Sequence, residues 1–276
     1  MKYKLICVDM DGTVLDDEKK ISNENIEAMK RAHDAGVKIA ICTGRLFASA
    51  LAYSDILGVK APLIASNGGY IREKDNDNVI YESYLKNEEA KDIYHIIEKY
   101  NVSMFFNTYN TVISNKEFEE NYTYNKFNDN LPKEKRVKLV YPKNMDKFLE
   151  ENVGEILKCI CIDKDVEKLK LLRKEIESLN RFDVVSSGEF NFEIMPKGVS
   201  KGKAVKMLAA FYNIKQDEVI CIGDNENDLS MIKCAGIGIA MGNAEDSIKQ
   251  IADYVTDTNN NSGVAKAIDK FIFNEE

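Results

Sequence analysis

"KLICVDMDGT", residues 4–13, opens on a short apolar run and then sets Asp9 and Asp11 two positions apart, with Gly12 and Thr13 directly behind them. The apolar run is continuous rather than alternating, which is the pattern of a strand buried on both faces. Two carboxylates where such a strand leaves the core carry a cost. Like charges about 4 Å apart repel by about 4 kcal/mol at an effective dielectric near 20, and a bound cation would offset that.

The same design recurs along the chain. "VKIAIC" (37–42) runs into Thr43, Gly44 and Arg45; "PLIAS" (62–66) into Asn67, Gly68 and Gly69. "EVICIG" (218–223) runs into Asp224, Asn225, Glu226, Asn227 and Asp228, and "GIGIAM" (236–241) into Gly242, Asn243 and Ala244. Helical stretches lie between several of these strands, one from about Ser22, a plausible N-cap, to Gly36, another from about Ser200 to Tyr212. The alternation predicts an α/β fold, a Rossmann-like doubly wound parallel sheet. In such sheets ligands sit beyond the carboxyl ends of the strands, which gathers the polar clusters on one edge.

The middle of the chain has its own core pattern: helix, strand pair, helix, a further strand, a long helix ("DVEKLKLLRKEIESLN", 165–180) and a strand pair. It reads as an inserted second α/β domain. The expected division is 1–82 and 188–276 for the core and 83–187 for the insert, with "FNFEIMP" (190–196) read as a strand leading back into the first domain. Residues 125–136, "NKFNDNLPKEKR", read as the most loop-like stretch of the insert, and 259–262 as a short loop.

Composition narrows the function classes. The chain has 276 residues, a net charge of −8, 44% hydrophobic and 30% charged residues, ordinary for a soluble globular protein. The acidic balance argues against a general nucleic-acid surface. No apolar run approaches a membrane span, and the stretch before Asp9 is too short for a signal peptide. Six cysteines without a C-x-x-C, mostly within apolar runs, read as reduced core residues of a cytoplasmic protein.

Several motifs nearly fit and fail. "GVSKG" (198–202) has the form of a nucleophile elbow, but the acid and histidine of that triad follow the serine, and His33 and His95 both precede Ser200. "DNENDL" (224–229) starts like a calcium loop, yet its sixth and twelfth places are Leu229 and Ala235 rather than Gly and Glu. "GIGIAMG" (236–242) has Met241 where a dinucleotide fingerprint needs its third glycine.

One constellation survives. Asp9 and Asp11 end one strand, Asp224 and Asp228 another, and neighbouring strands would bring three or four carboxylates together. Hard oxygen donors without His or thiolate suit Mg²⁺. Lys201 falls in the first turn of a helix, where the macrodipole disfavours a cation unless an anion is near; Lys203 shares that place. Thr43 and Gly44 offer a hydroxyl and a free N–H for phosphate oxygens, and Gly12 permits a sharp turn. These parts compose a phosphoryl-transfer site, with Asp9 as nucleophile and Asp11 as the proton carrier.

"DMDGT", "CTGR", "GVSKG" and "GDNENDLSM" stand in the order and spacing of the haloacid dehalogenase-like phosphatases, and the chain most resembles their Cof-type branch, whose α/β cap is inserted between the second and third motifs. The resemblance spans essentially the whole chain. It implies a Mg²⁺-dependent phosphatase of small phosphorylated metabolites that forms an aspartyl-phosphate on Asp9, with Asp11 as acid and base. It further implies phosphate contacts from the N–H of Met10, Thr43, Gly44, Lys201 rather than Lys203, and Asn227. Metal ligation falls to Asp9, the carbonyl of Asp11 and Asp224, with Asp228 supporting them. Alternatives from other classes are a phospho-aspartate switch and a phosphohexomutase; Asp11 and the insert favour the enzyme over the switch. The role of Arg45, the specificity residues of the cap and the oligomeric state stay open. Tyr109, Asn110 and Glu189 are weak candidates for specificity, and Asp16 and Asp17 have no assigned chemistry.

Overall fold

A computed structural model describes residues 2–75, 78–129, 131–152 and 154–274. Five strands come first: β1 (Leu5–Val8), β2 (Lys38–Cys42), β3 (Leu63–Ala65), β4 (Tyr70–Arg72) and β5 (Val79–Glu82). Six belong to the insert: β6 (Ser103–Asn107), β7 (Thr111–Ser114), β8 (Lys138–Val140), β9 (Lys158–Ile162), β10 (Phe182–Val185) and β11 (Asn191–Pro196). The last three are β12 (Val219–Gly223), β13 (Ile237–Ala240) and β14 (Tyr254–Val255).

The first sheet has the order β14-β13-β12-β1-β2-β3-β4-β5, parallel from β14 to β3 and antiparallel beyond. Cys7 faces Cys221 on one side and Ala40 on the other. Every residue of β1 is buried, because both faces are covered. Ile6, Val8, Ile39 and Ile222 join one apolar layer with Met29 of the helix Asn23–Asp34. Leu5, Cys7, Ala40 and Cys221 join another with Val205 and Leu208 of the helix Lys201–Phe211. Both helices start on serine caps: Ser22 accepts from the N–H of Asn25, and Ser200 from that of Lys203. Strand order reverses at β1, which is flanked by β2 and β12, so the chain leaves the sheet at its topological switch point just where Asp9, Thr43 and Asp224 follow.

The second sheet, order β10-β11-β9-β6-β7-β8, is antiparallel apart from β7 with β8. Its alternation divides two roles. Cys159, Cys161, Phe192, Ile194, Met104 and Phe106 point into the insert's own core with Leu169, Leu172 and Ile176 of the long helix Val166–Ser178. The intervening Lys158, Ile160, Ile162, Asn191, Glu193 and Asn107 face the first sheet and line a cavity.

Two expectations need correction. Residues 191–196 do not return to the first sheet; they pair with β10 and β9 in the second, so the chain re-enters the core only after Pro196 rather than at 188. The stretch from 125 is not simply loop: Thr123–Asp129 is a helix and Lys133–Lys135 a 3-10 turn, while Asn130 lies outside the described residues. The helix is held by aromatic packing rather than propensity. Phe127 stacks on Tyr53 of the core helix Phe47–Leu57, with ring centroids 5.8 Å apart, and Tyr124 packs in the same cluster. Residues 259–261 form a 3-10 turn whose Asn259 and Asn260 donate to Asp17, so Asp17 ties two loops together. Among the described residues no helix is long and apolar enough to cross a membrane.

Candidate active site

Asp9 sits one residue past β1 and is nearly buried at 5% exposure. Its N–H donates to the Ile222 carbonyl at 3.0 Å, which extends the strand pairing and fixes the carboxylate beside β12. Lys201, fully buried, donates to Asp9 Oδ1 at 2.5 Å and to Asp228 Oδ1 at 2.6 Å. The anions expected at that helix start are therefore present, while Lys203 is exposed. Burial pushes the pKa of Asp9 up, and so do Asp228 and Asp224, against the pull of Lys201.

Asp224 follows β12. Its Oδ1 accepts from Thr13 Oγ1 at 2.8 Å and its Oδ2 from Asn225 Nδ2 at 3.1 Å. Burial, with Asp228 next, raises its pKa to about 7. Asp228 is fully engaged, with Lys201 on Oδ1 and the N–H groups of Asp224 and Asn225 on Oδ2 at 2.9 and 3.1 Å. Gly12 makes the close approach possible. Its φ is +80°, and a Cβ there would lie 2.4 Å from Asp224 Oδ2.

Oxygen atoms of Asp9, Asp224 and Asp228 all lie within 4.8 Å of one another. Three buried carboxylates around one ammonium, two of them with raised pKa, form a donor set that fits a hard divalent cation. Of the acids expected to converge as a group of three or four, three do, and Asp11 stays apart. Its carboxylate takes a two-pronged contact from Arg45, Nε to Oδ2 and Nη2 to Oδ1, each 2.7 Å, and a 3.1 Å contact from Lys19. Burial acts to raise the pKa of Asp11, but Arg45 and Lys19 outweigh it and hold the group at about 2. Arg45, whose role the sequence leaves open, thus pairs with an acid, and its guanidinium also lies over the Tyr53 ring, 4.6 Å from the centroid.

Thr43 and Gly44 follow β2 directly, and Thr43 Oγ1 accepts from the N–H of Arg45 at 3.1 Å. Asn227 donates from Nδ2 to Asn67 Oδ1 at 3.2 Å. Met10 is buried, and its carbonyl accepts from the N–H of Leu15 at 2.9 Å to close the turn.

Above these groups lies a cavity of about 360 Å³ between the two sheets, floored by Asp9, Asp11, Thr43, Gly44 and Asn227. Its roof comes from the insert: Asn107, Tyr124, Lys158, Ile160, Ser187, Asn191 and Glu193. The expected candidates Tyr109, Asn110 and Glu189 do not line it. Tyr109 stacks on Tyr70, Asn110 bonds within its own turn, and Glu189 borders a separate groove beside Arg173. A slightly larger hollow, about 410 Å³, lies beside His33 and Tyr212 and contains none of the motif residues.

Sequence reasoning passed over Thr13, Asn67 and the whole roof. Thr13 was visible as a hydroxyl directly after the Asp-x-Asp-Gly turn. The roof residues carried a fainter signal: a lysine opening β9, and an amide and a glutamate two places apart in β11, within otherwise apolar strands.

Residues 6–268 match the family model described as haloacid dehalogenase-like hydrolase. The chain belongs to that family. Among relatives of this haloacid dehalogenase-like hydrolase, two from Bacillus subtilis (strain 168) are 5-amino-6-(5-phospho-D-ribitylamino)uracil phosphatases. YwtE is 34% identical, with 98% of each chain covered, and YcsE 33% identical, with 96% of this chain and 94% of that one. A solved haloacid dehalogenase-like hydrolase from B. subtilis superposes with a TM-score of 0.87 at 29% identity, over 97% of this chain and 99% of that one. The Cof-type resemblance and the α/β fold with a parallel-sheet core hold, and the protein is a phosphatase.

Proposed function

We propose that this phosphatase hydrolyses small phosphomonoesters through an aspartyl-phosphate on Asp9, with Mg²⁺ as its cofactor. The observation that carries the reading is the position of Asp9. It is a strand-end carboxylate bonded to a buried lysine, beside Asp224, under a cavity closed by the insert. Asp9, Asp224 and the main-chain carbonyl of Asp11 would hold the cation. When bound, it supplies positive charge against the carboxylates and the transferring phosphoryl oxygens.

The rest follows from the chain's own groups. The Asp9 carboxylate attacks phosphorus, the bond to the leaving oxygen breaks, and that oxygen takes a proton from Asp11. Asp11 then draws a proton from a water molecule as the water's oxygen attacks the phosphoryl group, which releases inorganic phosphate and restores Asp9. Lys201 lies against Asp9 Oδ1 and balances charge at the nucleophile. Met10 N–H, Thr43, Gly44 and Asn227 orient the phosphate, and Asp228 keeps Lys201 and the Asp224 loop in place. Asp11 must be protonated to act as an acid, so its contact with Arg45 has to open before the first step.

The roof selects the leaving group. Its charges, Lys158 and Glu193, neutralise each other, and the other side chains are amides, a hydroxyl, an aromatic ring and isoleucines. That suits a neutral hydroxylated group: a sugar phosphate, or a phosphorylated cofactor such as FMN or pyridoxal phosphate. The ribityl phosphate named in the two B. subtilis relatives belongs to the same chemical class. Asn107 Oδ1 is buried without a hydrogen-bond partner and would take a donor from the substrate. Replacing Asn107 with Leu is expected to lower kcat/KM for a polyol phosphate by about tenfold to a hundredfold, with p-nitrophenyl phosphate much less affected. Steady-state kinetics on both substrates checks this. Six free cysteines, five of them buried, suit a reducing compartment, and we place the enzyme in the cytoplasm.

A phosphate-release screen of the purified protein over sugar phosphates, nucleotides, FMN and pyridoxal phosphate tests the whole reading. Chelation is expected to abolish release and added Mg²⁺ to restore it, while Asp224→Asn should raise the Mg²⁺ concentration needed by an order of magnitude or more. Turnover indifferent to chelation would remove the metal. Stable phosphorylation without release would support a switch, and transfer between positions of one sugar would support a mutase.

A further inference from the structure

The hydrogen bonds of the cavity roof continue into its floor. Lys158 and Glu193 lie diagonally on β9 and β11, are 1% and 3% exposed, and form an ion pair. Both also reach out of the insert. The Lys158 ammonium donates to the Gly44 carbonyl. Glu193 Oε2 accepts from Asn67 Nδ2 at 2.9 Å, and Asn67 Oδ1 in turn accepts from Asn227 at 3.2 Å. Ser187 steadies the other oxygen, Oγ to Oε1 at 2.8 Å. Lys158 therefore ends directly on Gly44, and Glu193 reaches Asn227 through Asn67, so the pair is joined to two of the core segments proposed to hold phosphate.

Stability alone is a weak reason for such a pair. Desolvating two charges offsets most of their attraction, and an apolar pair of similar volume often serves as well. What the pair supplies that apolar packing cannot is direction, a fixed donor toward Gly44 and a fixed acceptor toward Asn67. We propose that Lys158 and Glu193 are positioning residues that set the phosphate cradle from the insert, so that Gly44 and Asn227 are aligned for phosphate only while the insert is seated. The inference rests on the placement of phosphate at Thr43, Gly44 and Asn227.

The test uses the full-length enzyme and the double variant Lys158→Met/Glu193→Gln, which removes both charges at nearly constant volume and leaves no lone buried ion. The readouts are the inhibition constant of inorganic phosphate, and KM and kcat for p-nitrophenyl phosphate, ribose 5-phosphate and FMN. Expected is a rise of tenfold or more in the phosphate inhibition constant and in KM for all three substrates by a common factor, with the melting temperature close to that of the parent. An unchanged inhibition constant in the folded variant overturns the inference. So do losses that differ among substrates while phosphate inhibition stays put, since the pair would then read the leaving group. Asn67→Gly keeps the local φ of +55° accessible and removes the bridge between Glu193 and Asn227 while leaving the Lys158–Glu193 pair in place; it should weaken phosphate inhibition as well, and it carries the test if the double variant does not fold. Thr43→Val separates the two levels. If it leaves phosphate inhibition unchanged, the phosphate placement fails. If it weakens inhibition and the pair variants do not, the pair inference alone fails.

Discussion

Replacing Asp9 with Asn is expected to reduce phosphate release by about a thousandfold or more, with the fold intact. The amide is nearly the size of the carboxylate but cannot attack phosphorus, so no acyl phosphate forms. The folded state should not suffer. Asp9, Asp224 and Asp228 crowd together, and Lys201 is the ammonium bonded between two of them. Neutralising one carboxylate relieves repulsion while Lys201 keeps Asp228. The melting temperature in the absence of Mg²⁺ is therefore expected to stay level or rise. Intact mass after exposure to substrate should show no phosphorylated species. Residual turnover above about one per cent would take the nucleophile role from Asp9.

Lys201→Met should damage both activity and stability. The ammonium is fully buried between Asp9 and Asp228. Deleting it leaves Asp228, which is fully buried, and Asp9, which is nearly so, without their cation, and breaking a buried pair from one side costs about 3–5 kcal/mol. Urea unfolding without added metal would read that loss. Adding Asp228→Asn to the variant should recover part of the stability and none of the turnover, because the charge that faces Asp9 is still missing. Lys203→Met is the internal control. Lys203 is exposed two residues away on the same helix, with its Nζ 5.9 Å from the Tyr81 ring centroid, and its loss should leave turnover unchanged. A Lys201→Met enzyme as stable as the parent would mean that the buried carboxylates take up protons or solvent when the lysine is gone.

The core of the fold was legible because its strands are uniformly apolar and end abruptly in polar residues. Asp9, Thr43 and Asp224 could be placed on one edge from that pattern alone, since parallel sheets bury both faces and leave only strand ends for chemistry. The insert was harder. β11 carries a glutamate between apolar neighbours and leads straight into Lys201, so its sequence suits either sheet; the pairing of Glu193 with Ile160 decides it. The helix Thr123–Asp129 has no buried residue and little intrinsic preference, and it forms through aromatic packing of Phe127 on Tyr53, far away in the chain. Asp11 shows another limit. Its position in the motif was plain, but its present ionisation is set by Arg45, and no spacing rule reveals that two-pronged contact.

The alternation along β9 and β11 has an evolutionary consequence. Cys159, Cys161, Phe192 and Ile194 hold the insert together, while Ile160, Ile162 and Asn191 reach the cavity from the opposite face of the same strands. Mutations at the second set change what the roof touches without disturbing the packing behind it. New substrate preferences can therefore accumulate one residue at a time over an unchanged reaction centre, and a small combinatorial library at 160, 162 and 191 would explore them with few variants lost to misfolding.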